Sequence, residues 1–125
     1  MILDTNAVSA ILAADPRIEV LLGPSGRHHL PVLVIGEYQF GMLGSRRRRR
    51  IQAGFVRLEL QSNVLPCDRE TADWYAAIRH ELRQKGRPIL ENDLWIAALA
   101  RQHTLEIVSQ DPHFDHVDRV RRLSW

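Results

Sequence analysis

Four acids stand where a carboxylate is hard to explain without a ligand. Asp4 closes the apolar run Met1-Ile2-Leu3 and opens Asp-Thr-Asn, and Glu37 interrupts an apolar stretch at Ile35-Gly36-Glu37-Tyr38. Asp93 lies in Glu91-Asn92-Asp93-Leu94-Trp95-Ile96-Ala97-Ala98, and Asp111 separates Ile107-Val108-Ser109-Gln110 from Pro112-His113-Phe114. An ionised carboxylate beside apolar segments costs free energy unless something compensates it. No matching basic residue accompanies these four. Crowded carboxylates repel, so at neutral pH they share protons or bind a cation. No cysteine is usable and no histidine stands at ligand spacing beside them, which disfavours zinc. Oxygen-only donors suit Mg²⁺, with Mn²⁺ as a substitute. Such an ion orients and acidifies a water and neutralises phosphate charge, so phosphodiester hydrolysis is the implied reaction. Thr5, Asn6, Asn92 and Ser109 are neutral neighbours suited to orienting waters, ligands or a scissile phosphate.

Each acid also has a plainer reading. Asp4, or the pair Asn92-Asp93, could cap a helix. Asp111-Pro112 could mark only a turn. Glu37 resists such an account because it breaks an apolar helix. The ordered set of four carries more weight than any member.

The elements that must position these acids alternate between strand and helix. Strands are expected at Met1–Asp4, His29–Val32, Asn63–Pro66, Leu105–Ser109 and, as a final edge, Arg121–Trp125. Helices are expected at Asn6–Ala14, Arg17–Leu22, Leu33–Leu43, Arg47–Leu60, Arg69–Gln84 and Asp93–Gln102, with a turn over Gly23-Pro24-Ser25-Gly26. Alternation of this kind implies an α/β fold, a mainly parallel sheet of four to five strands between helical layers. Sites in such sheets lie beyond the carboxyl ends of the strands, near the switch point. Asp4 and Asp111 meet there if the first and fourth strands are neighbours, with Asp93 in the first turn of its helix and Glu37 on the helix after the second strand.

A chain of 125 residues supports one domain, 1–125, and its 45% hydrophobic and 26% charged residues are an ordinary globular balance. No apolar run approaches a membrane span, and the start lacks the basic region of a signal peptide. The single cysteine, Cys67, excludes an internal disulfide, fits a reducing cytoplasm and is expected to be buried and inert. Net charge is only +2, but 16 of the 17 basic residues are arginine and five run together from Arg46 to Arg50. That run reads either as a solvated helix start or as a phosphate contact. Val34, Ile35, Tyr38, Phe40 and Met42 exceed what a small core requires, which points to a partner.

Ile-Leu-Asp-Thr-Asn, Gly-Glu-Tyr, Arg-Pro-Ile-Leu-Glu-Asn-Asp-Leu-Trp-Ile-Ala-Ala and Ile-Val-Ser-Gln-Asp-Pro-His-Phe resemble, in order and spacing, the PIN domain of VapC-type toxins from toxin–antitoxin pairs. The resemblance covers nearly the whole chain. It implies a Mg²⁺- or Mn²⁺-dependent ribonuclease, dimeric and inhibited by a cognate antitoxin. It also implies that Asp4, Glu37, Asp93 and Asp111 occupy the acidic metal-site positions, with Thr5 and Ser109 as the polar residues beside the first and last acids. Asp115 competes with Asp111 for the fourth place, and Leu90 stands where many relatives have proline. The alternative is a PIN-like protein- or RNA-binding module that has lost catalysis.

Overall fold

A computed structural model describes residues 1–24, 27–46 and 48–125. Ser25 and Gly26 of the expected turn, and Arg47 of the arginine run, lie outside the described residues. The elements are β1 (Ile2–Leu3), α1 (Thr5–Leu12), α2 (Pro16–Leu22), β2 (His29–Pro31), α3 (Val32–Leu43), α4 (Arg48–Gln61) and β3 (Asn63–Leu65), then α5 (Arg69–Gln84), α6 (Glu91–His103), β4 (Ile107–Val108), a 3₁₀ helix (Pro112–His116) and β5 (Arg122–Leu123). The strands form one parallel sheet in the order β3-β2-β1-β4-β5, flanked by the helices.

This order puts the switch point between β1, from which the chain builds outward to β2 and β3, and β4. Leu3 is in register with Val108. Asp4 and Ser109 therefore leave adjacent strands at the same edge. The central strands cross the core, with Ile2, Leu3, Leu30, Ile107 and Val108 fully buried, while the edge strands β3 and β5 are partly exposed.

Helix ends follow local chemistry. Asp4 caps α1 by accepting from the Thr5 N–H, so this helix starts one residue before the expected Asn6, and Ala14, with φ 54°, lies beyond its end. Asp15 caps α2, which admits Pro16 at its first position, where no hydrogen bond is lost. Asp68 and Thr71 form a reciprocal capping box at α5. Helix α6 begins at Glu91, two residues earlier than expected, and its cap, Leu90, provides no side-chain bond. Asn92 and Asp93 therefore do not cap it.

Helices α5 and α6 pack as a pair. Tyr75 stacks on Trp95 with ring centroids 4.2 Å apart. The buried Arg101 of α6 makes two parallel hydrogen bonds, 3.0 and 2.9 Å, to the Glu81 carboxylate of α5. At the other end of the domain α4 approaches α1 so closely that a Cβ on Gly54 would stand 3.0 Å from Leu12 Cδ2.

Two expectations change. Cys67 is exposed, because it follows the edge strand β3 and precedes the α5 cap in a surface loop. Partial burial, then the Asp68 charge, push its thiol pKa up, so it stays protonated. The apolar excess on α3 is also smaller than the sequence suggests. Val34, Ile35 and Met42 join the core and Tyr38 stacks on Phe55 at 4.9 Å, leaving Val32, Phe40 and Leu43 as the exposed large apolar residues of α3, at 45%, 80% and 65%.

Candidate active site

Asp4, Thr5, Asn6, Ser9, Glu37, Phe40 and Asp93 line an open cleft of about 600 Å³. Each acid arrives on a different element: Asp4 from the end of β1, Glu37 from the middle of α3, Asp93 from the first turn of α6. Asp111 caps the 3₁₀ helix just beyond β4.

Three of the four are gripped by neutral donors. Asp4 Oδ1 accepts from the Thr5 N–H at 2.7 Å, and its Oδ2 accepts from Asn6 Nδ2 and from Ser109 Oγ, each at 2.7 Å. Glu37 Oε2 accepts from Thr5 Oγ1 at 2.5 Å, and its Oε1 accepts from Asn92 Nδ2. Asp111 Oδ1 accepts from the His113 N–H at 2.9 Å and faces His113 Nδ1 at 2.8 Å. Ser109 is the hub: fully buried, it donates to Asp4 while its oxygen accepts from Asn6 Nδ2 at 3.1 Å and from the Asp111 N–H at 2.9 Å.

Asp93 differs. Its Oδ2 is buried and has no hydrogen-bond partner among the described residues. Burial, followed by the charges of Asp4, Asp111 and Glu37, pushes its pKa up to about 6, against a small opposing effect of His113. Burial also raises Asp4, with Glu37 and Asp111 adding to the shift, while the Ser109 and Thr5 bonds oppose it. Burial and crowding thus act together on Asp93, whose inner oxygen has no donor among the described residues.

Asp115 is engaged elsewhere. Arg122 Nε and Nη2 donate to its two oxygens at 2.8 and 2.7 Å, which holds its carboxyl below the usual range. The same guanidinium donates to the Ser109 carbonyl at 3.1 Å, tying β5 to the end of β4. Asp111, in contrast, raises both Asp4 and Asp93.

Two residues matter more here than the sequence suggests. In the sequence His113 is one of several scattered histidines, yet its spacing two residues after a capping aspartate brings both its N–H and its ring onto that carboxylate. Arg101 sits in an apolar helix and gives no sign in the sequence that it pairs with Glu81.

The donor set is oxygen-only, crowded and partly unsatisfied, which fits a hard cation. Among the described residues, no three Asp, Glu, His or Cys side chains stand close enough to hold one ion between them. A Mg²⁺ ion requires only one or two direct carboxylates, with water filling the remaining positions.

A parallel sheet with acids collected at its switch point is the pattern of a metal-assisted hydrolase. The sequence profile of the PIN domain matches residues 1–120, and the chain belongs to that family. Ribonuclease VapC5 of Mycobacterium tuberculosis is 29% identical over 119 residues, covering 94% of this chain and 87% of that protein. The crystal structure of VapBC-5 from the same organism, a member of the VapBC family of toxin–antitoxin systems, aligns with a TM-score of 0.80 at 29% identity over 99% of this chain and 97% of that one. The structure of VapBC2 from Rickettsia felis, bound to a DNA fragment from their promoter, aligns with a TM-score of 0.87 at 23% identity, over 99% and 97% of the two chains.

Proposed function

We propose that this chain is a divalent-cation-dependent endoribonuclease and the toxin of a toxin–antitoxin pair, neutralised by a cognate antitoxin. The carrying observation is the cleft where Asp4, Glu37 and Asp93 converge, with Asp93 Oδ2 buried and unpartnered among the described residues. The ribonuclease VapC5 and VapBC relatives support the same reading.

Asp4 and Asp93 are the residues that would hold the ion, with Glu37 and Asp111 completing the acidic rim; Mg²⁺ is the assigned ion and Mn²⁺ its substitute. When bound, such a cation supplies charge against a phosphodiester and acidifies a water. The chain's own groups do the positioning. Ser109 and Asn6 fix Asp4, while Thr5 fixes Glu37 and presents its hydroxyl at the cleft wall. Asp93, its pKa pushed up to about 6, takes up a proton well above the ordinary carboxylate range when no cation is present.

Residues 1–125 act as one PIN domain in this reading, working in the cytoplasm as a homodimer. No helix among the described residues is long and apolar enough to cross a membrane. A groove of about 230 Å³ between α3 and α4, lined by Met42, Leu43, Phe55 and Val56 with Gln39 and Glu59, is where the antitoxin segment is assigned.

Generic RNA incubated with EDTA, Mg²⁺ or Mn²⁺ tests the proposal, with Asp93→Asn as the control. Cleavage only with metal, abolished in the variant, is the expected result. RNA binding without cleavage under either metal would favour a module that has lost catalysis.

A further inference from the structure

On the reading that this cleft cleaves RNA with a bound cation, we propose that Asn92 is a positioning residue: its carboxamide holds Glu37 for the acidic site. Asn92 lies in the first turn of α6, and Glu37 lies in the middle of α3. The bond between Asn92 Nδ2 and Glu37 Oε1 spans 55 residues of chain, and Thr5 Oγ1 holds the other oxygen at 2.5 Å. Glu37 is thus clamped from two separate elements, one donor for each oxygen.

Both donors are neutral, and that choice matters. A lysine or arginine in the same place would hold the carboxylate equally well but would cancel its charge and compete with a cation. An amide fixes direction and leaves the charge available. Removing a hydrogen-bond partner that orients a metal-site ligand typically costs about 10–100-fold in metal affinity or activity.

The local fold leaves Asn92 free for this task. Helix α6 is capped at Leu90 without a side-chain bond, so the Asn92 amide is not used on the helix end. One turn of backbone then serves two acids, presenting Asp93 directly and Glu37 through the Asn92 amide. The short apolar-to-polar switch Leu90-Glu91-Asn92-Asp93 acquires a distinct purpose at each polar position: Glu91 accepts from Tyr75 Oη, Asn92 donates to Glu37, and Asp93 faces the cleft.

The test is a double-mutant cycle with Asn92→Ala and Glu37→Ala, read by two measurements on each protein. The first is the rise in melting temperature on adding Mn²⁺, which reports binding to the native state. The second is the Mn²⁺ concentration that gives half-maximal RNA cleavage. Asn92→Ala is expected to melt close to wild type in EDTA, to show a reduced Mn²⁺ response, and to need about 10-fold more Mn²⁺. Its maximal rate should recover at saturating Mn²⁺, which a generally weakened fold would not allow. In the Glu37→Ala background the Asn92 change should add nothing, because the residue it acts through is gone. An Mn²⁺ response in Asn92→Ala equal to wild type overturns the inference alone, as does strict additivity in the cycle. A wild-type protein whose melting ignores Mn²⁺ overturns the functional reading and this inference with it.

Discussion

Ser109 Oγ donates to Asp4 Oδ2 at 2.7 Å, joining two buried side chains 105 residues apart in the chain. The bond closes the gap between the ends of β1 and β4, and it reaches Asp111 as well, since the same oxygen accepts the Asp111 N–H. A single hydroxyl therefore holds two acids in fixed relation.

Ser109→Ala removes one donor and one acceptor from a site with no access to water. Loss of stability by about 1–3 kcal/mol is expected in urea unfolding, as for any buried polar network left unsatisfied. Ser109→Thr keeps the hydroxyl and should lose less function than Ser109→Ala in cleavage assays, at the cost of crowding a fully buried position.

Asp4→Asn and Asp93→Asn should shift metal-free stability in opposite directions. Asp4 accepts three hydrogen bonds, so an amide nitrogen at either oxygen position faces a donor and destabilises the fold. Asp93 has a folded pKa of about 6 against an ordinary 3.8, so its ionised form penalises the native state. That penalty is complete above about pH 6 and absent below 3.8, because stability falls as pH rises between the two values. Melting curves in EDTA should show Asp93→Asn above wild type at neutral pH, with the advantage fading as acid is added. A constant difference across that range would refute the assignment.

Much of this architecture can be read from residues. The boundaries of α5 are as expected because its capping box is local and its apolar positions recur at helical spacing. The parallel sheet follows from the alternation of elements, whereas that alternation leaves the adjacency of β1 and β4 open and the strand order supplies it. Other features depend on tertiary contacts with no local mark. The turn expected after Asp111 is a 3₁₀ helix, and its cap turns His113 inward onto the acid. That Arg122, seven residues on in β5, engages both oxygens of Asp115 while Asp111 is left beside the other acids is likewise not marked in the sequence. Phe40 looks like its α3 neighbours in sequence, and only the direction of its side chain separates it from the core.

Glu81→Ala should be more harmful than its partial exposure suggests. It leaves Arg101, whose side chain is 4% exposed and whose Nε already has no partner, with only the Asp118 carbonyl as an acceptor among the described residues. Breaking a buried pair by removing one partner costs about 3 kcal/mol. Urea unfolding of Glu81→Ala, Arg101→Met and the double variant Glu81→Leu/Arg101→Met checks this; the double variant should recover much of the loss.

Neutralising Arg46, Arg49 and Arg50, all exposed at the start of α4, is expected to weaken RNA binding. Every phosphate that is no longer gripped should flatten the salt dependence by about 0.7 in log–log slope for single strands. Cleavage-site preference should stay the same, because phosphate contacts position a nucleic acid without reading its bases. Binding and slope both unchanged would make the run a solvated helix start; weakened inhibition with cleavage intact would assign it to the antitoxin.

Leu43→Ser should reduce neutralisation by the antitoxin while leaving the domain stable, since this side chain lines the α3–α4 groove and is 65% exposed. Titration of antitoxin against cleavage, with melting measured in parallel, checks both statements.

The sheet order has a consequence in time. Because β4 lies between β1 and β5, the edge that joins Asp4 to Ser109 and Asp111 is assembled from opposite ends of the sequence. Pairing over such separations is slow to form, since loop closure must precede its reward. A growing chain carrying Asp4, Glu37 and Asp93 but not yet β4 lacks the Ser109 clamp and the fourth acid. The acidic edge is thus among the last parts of the domain to be completed, because its Ser109 clamp and Asp111 carboxylate are supplied by the final quarter of the sequence.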